Sequence, residues 1–281
     1  MLKSFVRIND VTLRDGIQSL KNFIPTRIKI KLINLLTQSN LKYIEVGTLG
    51  VDKRVPQFSD SSKVYNVITK KQDVKYPFLI FNHKGIHDAN NLHVNTLAFV
   101  TSPSEGFSKA NMNKSVSKTI TLNNSLIKQN IGYNRLYIST SFSCPIEKRI
   151  IGNHELIQHI KQYDAKLIDE FVLSDTEGKL TPMQLETTLD SMNIMNIPKD
   201  KITLHLHENQ YSEYNINIAL IKGIRSFDSS LSNSGGCIIM NENHKNISTL
   251  DLIKYLKDYE TNITVDYLLQ AQRILMLASY V

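Results

Sequence analysis

The sequence predicts a single TIM barrel, an α/β fold of eight parallel strands that each lead into a helix, with an additional C-terminal helix. Eight short runs of β-branched or aromatic residues alternate with amphipathic segments, which is typical of repeated strand–helix units. The length of 281 residues is close to the roughly 250 residues of a typical barrel. Because no segment resembles a linker, we expect residues 1–281 to form one domain, with an open doubly wound sheet as the alternative.

Each predicted strand is a short apolar run bounded by polar or turn-forming residues. The predicted strands are residues 5–8, 43–47, 77–81, 96–100, 136–140, 171–173, 202–205 and 226–228. Helices are predicted where apolar residues recur at helical spacing between these strands. They are residues 27–39, 62–71, 115–129, 153–164, 182–192, 211–222 and 249–259. The final amphipathic segment, residues 265–280, has no strand after it, so we expect it to pack on the barrel exterior.

The charge of the chain is compatible with several kinds of partner. There are 33 Lys and Arg residues against 26 Asp and Glu residues, a formal net charge of +7, which would suit nucleic acid, an anionic surface or a phosphate-bearing substrate. The basic residues are scattered, and the sequence has no zinc-finger spacing, Gly-rich phosphate loop or aromatic RNA-binding motif. We therefore expect a small-molecule substrate and no nucleic-acid partner.

The sequence also predicts where the protein resides. Its apolar runs are far shorter than the ~20 residues of a membrane helix, so no membrane partner is expected. Lys3, Arg7 and Asp10 interrupt the segment in which a secretory signal would be continuously apolar. The cytoplasm is the expected location, and the two cysteines, Cys144 and Cys237, are expected to be free thiols.

Polar residues cluster where the predicted strands end. The active site of a TIM barrel lies at the C-terminal ends of its strands, so these residues are the candidates for chemistry. They are Arg14, Asp15 and Gln18 after the first strand, Glu45 at the second, Asn82 after the third, Cys144 after the fifth, Asp175 after the sixth, His205 and His207 at the seventh, and Cys237 after the eighth. Taken singly, each has an ordinary explanation such as a surface ion pair or a helix cap. Their joint placement favours a functional site.

His205 and His207 form the most specific pair. Because a strand alternates faces, residues two apart point the same way, about 6.6 Å apart along the chain. Two ordinary histidines, one hydrogen-bonded in the core and one solvated, are the alternative. If the barrel closes, the first strand lies near the strand of the histidines. The carboxylate of Asp15 can then complete a site for a divalent ion such as Mn²⁺, Mg²⁺, Co²⁺ or Zn²⁺.

The segment from Val11 to Gln18 reads Val-Thr-Leu-Arg-Asp-Gly-Ile-Gln. It resembles the opening motif of the metal-dependent lyases and acyltransferases built on a TIM barrel, and is most similar to that of the 3-hydroxy-3-methylglutaryl-CoA lyases. The resemblance covers nearly the whole chain. It continues through residues 45–47, 54–60, 104–107, 143–147, 174–178, 205–207, 228–230, 235–237, 246 and 251–252.

The resemblance implies roles for individual residues. The implied ligands of a divalent ion, Mg²⁺ or Mn²⁺ above all, are Asp15, His205, His207 and Asn246. The implied catalytic residues are Arg14, which would stabilise an enolate oxygen, Cys237, on a loop that closes on the substrate, His205, and the supporting acid/base carboxylates Glu45 and Asp175. The expected substrate-binding residues are Arg14, Gln18 and Asn82.

The implied activity is metal-dependent cleavage of a β-hydroxyacyl-CoA, with 3-hydroxy-3-methylglutaryl-CoA giving acetyl-CoA and acetoacetate. Such cleavage removes a hydroxyl proton while negative charge grows on an enolate, and a metal ion and a guanidinium both favour this change. The resemblance also suggests a homodimer. The alternatives are an acyl-CoA/2-oxo acid condensing enzyme of the isopropylmalate- or citramalate-synthase type, an aldolase that acts on a hydroxy acid without CoA, and a non-catalytic relative.

The sequence departs from the lyase pattern around the expected substrate rather than around the metal. Residues 238–240, Ile-Ile-Met, follow Cys237 where the lyases commonly have Pro and an aromatic residue. Lys148 also replaces a Gly of the family pattern. The exact substrate is therefore the least constrained part of the prediction.

Overall fold

The computed structural model describes residues 4–50, 55–231 and 245–279. Within them, eight parallel strands form one sheet, and a separate antiparallel pair forms a small hairpin. The sheet strands, with the hairpin strands β6 and β7 included in the numbering, are β1 Arg7–Asp10, β2 Gly47–Leu49, β3 Phe78–Ile80, β4 Thr96–Thr101, β5 Tyr133–Ile138, β8 Glu170–Ser174, β9 Ile202–His205 and β10 Ser226–Ser229. The hairpin strands are β6 Ser143–Cys144 and β7 Arg149–Ile150.

The sheet closes on itself as the sequence predicts. Neighbouring strands follow the order β1, β10, β9, β8, β5, β4, β3 and β2, all in parallel. The two ends meet through Asp10, whose N–H donates to Tyr43 O at 2.9 Å and whose carbonyl accepts from Glu45 N at 2.9 Å. The predicted TIM-barrel fold is confirmed.

Helices cover the outside of this barrel. They are α1 Thr26–Gln38, α2 Ser61–Val67, α3 His83–Asn91, α4 Glu105–Met112, α5 Val116–Gln129, α6 Asn153–Ile160, α7 Pro182–Ile194, α8 Ser212–Ile221, α9 Thr249–Tyr255 and α10 Val265–Ser279. The expected C-terminal helix is α10, which buries Leu268, Ala271 and Leu275 in the main apolar core. Among the described residues, none of these helices combines the length and apolar character needed to cross a bilayer.

Two helices, α3 and α4, were not among those predicted. Only Ile86 and Ala89 are apolar and buried in α3, so its sequence gives a weak periodic signal. The helix begins because Asn82 caps it, with its side chain accepting from Gly85 N. In the same way Ser104 caps α4. Local capping rather than apolar periodicity starts both helices.

Some predicted boundaries were wrong. The predicted strand 136–140 is β5, which starts at Tyr133, because the polar Asn134 and Arg135 lie in the strand and are buried. In the predicted second strand, 43–47, Tyr43 and Ile44 form only single bridges. The continuous pairing with β3 begins at Gly47, the first residue of β2. Glu45 therefore comes before β2 and next to the closure of the barrel.

The interior of the barrel holds buried charged side chains beside a small apolar cluster. Phe99 and Leu136 belong to the main apolar cluster together with helix residues such as Leu32. Strand residues alternate faces, and Val100 on the opposite face belongs to a second, small cluster. The barrel strands also bury four carboxyl or guanidinium side chains: Asp10, Arg135, Glu170 and Asp228. The apolar core thus lies mainly between the strands and the helices.

The hairpin offers a stability prediction. Lys148 lies in its turn with φ of 52°, a left-handed conformation that costs a residue with a side chain about 1–2 kcal/mol. Glycine avoids this cost but loses roughly 0.5–1 kcal/mol through chain entropy. We expect Lys148→Gly to raise the free energy of unfolding by up to about 1 kcal/mol in urea denaturation.

Lys148→Ala is the matched control, because it removes the same side chain and keeps the left-handed strain. It should show no gain in stability. Equal unfolding midpoints for the Gly and Ala variants would contradict this explanation.

Candidate active site

The first site residues sit on an unusual turn directly after β1. Residues Thr12–Gly16 form one π-helical turn in which the carbonyl of Val11 accepts from the N–H groups of Arg14 at 3.2 Å, Asp15 at 2.7 Å and Gly16 at 3.1 Å. Such turns are rare and recur at functional sites. Both Arg14 and Asp15 are buried here. The turn places a guanidinium and a carboxylate side by side at the C-terminal end of the barrel.

Three predicted metal ligands converge at this end. Asp15, His205 and His207 each offer one ligand atom, and these atoms lie within 4.8 Å of one another. His205 Nε2 is 3.8 Å from Asp15 Oδ2. The two imidazole rings are 5.4 Å apart at an interplanar angle of 89°. The structure therefore brings together the residues that strand alternation and barrel closure led us to expect.

Asn246 joins this cluster through a hydrogen bond. Its Nδ2 donates to Asp15 Oδ2 at 2.6 Å, and its backbone forms an antiparallel bridge with His207. A metal ion would be bound by the amide oxygen, which has the lone pairs. Ligation by Asn246 would therefore need its amide to turn by half a rotation from the orientation seen here.

The donor set fits a divalent cation. One carboxylate and two imidazoles suit first-row divalent ions. Burial by itself raises the pKa of Asp15, but the nearby charges of Arg14 and the two histidines bring it below its ordinary value of 3.8. The Nδ1 atoms contact Asp228 Oδ2 at 3.1 Å for His205 and Asp175 O at 2.7 Å for His207. These contacts make Nε2 the nitrogen of each ring that can bind an ion.

Arg14 is held in a fixed orientation beside the cluster. Its Nε donates to Glu45 Oε2 at 2.8 Å, and its Nη1 donates to Asp15 Oδ1 at 2.8 Å. The guanidinium also lies over the ring of Tyr137, 4.4 Å from its centre. Its Nη2 is buried and has no hydrogen-bond partner among the described residues. The two N–H donors of Nη2 are thus unused by the described residues, and such donors suit the oxygen of an anionic ligand.

The cluster opens into a cavity of about 90 Å³ at the barrel mouth. Its walls are Arg14, Asp15, Gln18, Leu79, Phe81, Val100, Phe107, Asn111, Tyr137, Ser139, Ser174, Thr176, His205 and His207. A second cavity of about 300 Å³ shares Gln18 and Phe81 with it and extends towards β2 and α5. Together they offer a charged end and a more apolar end, which suits an acyl group with a polar reacting centre.

The two remaining substrate-binding candidates differ in their surroundings. Gln18 lines both cavities, and its Nε2 donates to Asp15 Oδ1 at 2.9 Å. Asn82 lines only the larger cavity, and both ends of its amide hold backbone: Oδ1 accepts from Gly85 N at 2.9 Å and Nδ2 donates to Gly50 O at 2.8 Å. The structure therefore gives Asn82 a structural task in addition to the predicted one.

The side chain of Asp175 is directed to backbone rather than to the reacting centre. It accepts from the N–H groups of Lys179 and Leu180, both at 3.1 Å, and it does not line the central cavity. Burial raises its pKa to about 6. The geometry supports a positioning role, in which its backbone carbonyl holds His207, more than the predicted acid/base role.

Two further residues of the site, Tyr137 and Asp228, were not among the predicted ones. The hydroxyl of Tyr137 donates towards Glu45 Oε2 at 3.0 Å and Asp228 Oδ2 at 3.1 Å. Both residues point into the barrel from strands that the sequence predicts, so the alternation of the strands was the available signal.

The two cysteines stand differently. Cys237 lies outside the described residues, and Cys144 is fully buried with Sγ 3.0 Å from Ser104 Oγ.

Comparison with known proteins identifies the family. A family model described as HMGL-like matches residues 5–281. The chain is 33% identical to the hydroxymethylglutaryl-CoA lyase of Bacillus subtilis, over 95% of this chain and 91% of that protein. It is also 33% identical to the cytoplasmic 3-hydroxy-3-methylglutaryl-CoA lyase of Rattus norvegicus, over 94% of this chain and 78% of that protein. The chain belongs to the HMGL-like family.

Solved structures of HMG-CoA lyases resemble this HMGL-like protein closely. The enzyme from Brucella melitensis aligns with a TM-score of 0.92 at 30% identity, covering 99% of this chain and all of that one. The enzyme from Acinetobacter baumannii was solved in complex with coenzyme A and 3-methylmalate. It aligns with a TM-score of 0.91 at 29% identity, covering 98% of this chain and 92% of that one. The predicted family resemblance is therefore confirmed in sequence and in fold.

A buried carboxylate next to the site of this HMGL-like protein gives a pH prediction. Asp10 accepts from Thr12 N at 3.0 Å and from Thr12 Oγ1 at 2.8 Å, and burial raises its pKa from 3.8 to about 7. Since the folded pKa is the higher one, the stabilising contribution of Asp10 is complete below about pH 4 and is lost as the pH rises through about 7.

Asp10→Asn keeps an acceptor for Thr12 and cannot ionise. The free energy of unfolding of Asp10→Asn minus that of the wild type should be higher at pH 8 than at pH 5, by something on the order of 2 kcal/mol. Urea unfolding of both proteins at the two pH values measures this difference, with Asp200→Asn as the control at an exposed carboxylate. A difference between the wild type and Asp10→Asn that does not change with pH would contradict the burial argument.

Proposed function

We propose that this protein is a divalent-metal-dependent carbon–carbon lyase that cleaves 3-hydroxy-3-methylglutaryl-CoA to acetyl-CoA and acetoacetate. The observation that carries the proposal is the buried cluster of Asp15, His205 and His207 beside Arg14 at the barrel mouth. Relatives with the named lyase activity match along nearly the whole chain. A related structure that contains coenzyme A and 3-methylmalate supports an acyl-CoA as the substrate class.

We propose Asp15, His205, His207 and Asn246 as the ligands of a bound Mg²⁺ or Mn²⁺. When bound there, a divalent ion supplies Lewis-acid polarisation to the hydroxyl and carbonyl oxygens of the substrate. Neighbouring groups fix the orientation of the ligand side chains: each imidazole is held at Nδ1, and Asp15 accepts hydrogen bonds from Arg14 and Gln18. Such support keeps the ligand atoms in place for the ion.

The reaction takes the proton from the C3 hydroxyl, breaks the C2–C3 bond and leaves the electron pair on the thioester enolate. Acetoacetate carries away the new C3 carbonyl, and the enolate gains a proton at carbon to become acetyl-CoA. We propose that Arg14, which lines the cavity, donates from its unpartnered Nη2 to the thioester oxygen on which the charge grows. Glu45 is the supporting carboxylate that orients this guanidinium.

The remaining features of the proposal come from the sequence and the family. We propose that residues 1–281 form one catalytic domain and that the protein acts as a homodimer. A cytoplasmic location remains the expectation, and relatives include proteins named cytoplasmic and mitochondrial. A condensing enzyme or an aldolase without CoA is less well supported, because the relatives and structures described above carry lyase names.

Cys237 gives a separate prediction. If this thiol acts on the substrate as the family resemblance implies, Cys237→Ser should lose most activity and keep its metal. A thiol reagent should also modify Cys237 faster than the buried Cys144. Peptide mapping with and without a substrate analogue tests this. Near-normal turnover of Cys237→Ser, or equal labelling in both states, would contradict the role.

The proposed activity is tested with the purified protein, Mg²⁺ or Mn²⁺, and a panel of 3-hydroxyacyl-CoA thioesters. We expect acetyl-CoA and acetoacetate to appear in equal amounts from 3-hydroxy-3-methylglutaryl-CoA. A parallel incubation of acetyl-CoA with 2-oxo acids detects condensation. Condensation without cleavage would identify a synthase, and cleavage of a different thioester alone would replace the proposed substrate.

A further inference from the structure

We propose that Asp228 is a positioning residue for the metal centre: its carboxylate fixes the orientation and tautomer of His205 so that Nε2 is presented to the ion. This inference rests on the metal site of the proposed function, and it concerns a residue outside the proposed set of ligands. Asp228 is in β10 and His205 is in the neighbouring strand β9. Their side chains meet inside the barrel.

The geometry of His205 is set from both sides of its ring. Nδ1 is 3.1 Å from Asp228 Oδ2, and Nε2 is 3.8 Å from Asp15 Oδ2. A carboxylate can only accept a hydrogen bond, so the proton of a neutral imidazole belongs on Nδ1. The lone pair then lies on Nε2, on the side of Asp15 and His207. A carboxylate behind a histidine ligand also makes the ligand nitrogen more basic.

Asp228 is itself held at both oxygens. Its Oδ1 accepts from Asn9 Nδ2 at 3.0 Å and from Arg135 Nη2, while its Oδ2 accepts from the Tyr137 hydroxyl at 3.1 Å. The side chain of Asp228 is fully buried. With so many donors around it, its position is determined by β1 and β5 as well as by its own strand. It can therefore orient His205 rather than follow it.

Arg135 connects Asp228 to a longer row of buried charges. Arg135 is fully buried, and its Nε is 3.0 Å from Glu170 Oε2. Glu170 in turn pairs with Arg7, which is partly exposed. Alternating charges thus lead from Arg7 through Glu170, Arg135 and Asp228 to His205. A buried carboxylate is expensive to keep ionised without such compensation, and here the cation lies directly beside it.

The test measures Mn²⁺ affinity without substrate, so that it does not depend on which acyl-CoA the enzyme cleaves. We compare the wild type with Asp228→Asn and Asp228→Ala by calorimetric titration. Loss of such a supporting carboxylate typically weakens metal binding by about 10–100-fold. We expect a loss on this scale for Asp228→Asn and a larger one for Asp228→Ala, which also removes the acceptor oxygen.

Glu170→Gln is the matched control. It removes another buried carboxylate from the same row of charges and leaves the contact between Asp228 and His205 in place. We expect it to lower the melting temperature and to leave Mn²⁺ affinity unchanged. Circular dichroism of each metal-free variant establishes that it is folded. If Asp228→Ala does not fold, the comparison is made with Asp228→Asn alone.

A second readout follows the tautomer directly. In ¹⁵N NMR of histidine-labelled, metal-free protein, we expect His205 to carry its proton on Nδ1, and to lose this preference in Asp228→Ala. Unchanged Mn²⁺ affinity and an unchanged tautomer would overturn the inference, as would an equal loss of affinity in Glu170→Gln. If the wild type itself binds no Mn²⁺, the proposed metal site fails, and the tautomer measurement still decides the role of Asp228.

Discussion

Replacing His205 with alanine is expected to abolish both metal binding and turnover. His205 supplies one of three clustered ligand atoms, and its ring lies between Asp15 and Asp228. Without the imidazole, only Asp15 and His207 remain of the three clustered ligand groups. Elemental analysis after dialysis measures the bound metal, and the lyase assay measures turnover.

His159→Ala is the control for loss of a buried histidine. His159 is buried and its Nε2 is 2.8 Å from Thr101 Oγ1, but it does not belong to the cluster. This variant should be less stable and should keep its metal. Full metal occupancy in His205→Ala would show that the ion binds elsewhere.

Replacing Arg14 with lysine is expected to lower kcat by at least ~100-fold, the scale of one lost oxyanion donor. The three nitrogens of Arg14 differ in their contacts: Nε contacts Glu45, Nη1 contacts Asp15, and Nη2 has no partner among the described residues. An ammonium group is a point charge on a flexible stem and cannot meet all three. Since the enolate charge develops only in the transition state, the loss should fall on kcat more than on KM.

Arg149→Lys serves as the control for the same substitution at an exposed ion pair. Arg149 bonds Glu147 and Glu155 on the hairpin surface, where such pairs contribute little. Its kcat should match the wild type. If Arg14→Lys instead kept kcat and raised KM, Arg14 would be an anchor for the substrate rather than a stabiliser of the transition state.

The sequence was most informative where a residue's role depends on local periodicity. The strand alternation of His205 and His207 predicts that both rings share a face, and barrel closure predicts that Asp15 approaches them. Both expectations follow from geometry that a few residues determine. The C-terminal helix was predicted for the same reason, because the spacing of its apolar residues is visible without knowledge of the fold.

Roles that depend on contacts between distant strands were not visible in the sequence. The hydroxyl of Tyr137 contacts Glu45 and Asp228, each some 90 positions away, and no local pattern marks a strand residue for such contacts. The charge of Arg135 interrupts the apolar pattern by which β5 was predicted. Its burial depends on ion pairs with Glu170 and Asp228, which lie on other strands. Asn246 entered the prediction through the family resemblance alone, since its approach to Asp15 spans 231 positions.

Anomalous scattering from crystals grown with Mn²⁺ tests the central claim most directly, because it locates the ion independently of activity. We predict one strong peak in the barrel mouth, at roughly 2.0–2.3 Å from an Asp15 oxygen, the Nε2 atoms of both histidines and the Asn246 amide oxygen. A peak at other side chains, with the Asp15, His205 and His207 cluster empty, would contradict the account.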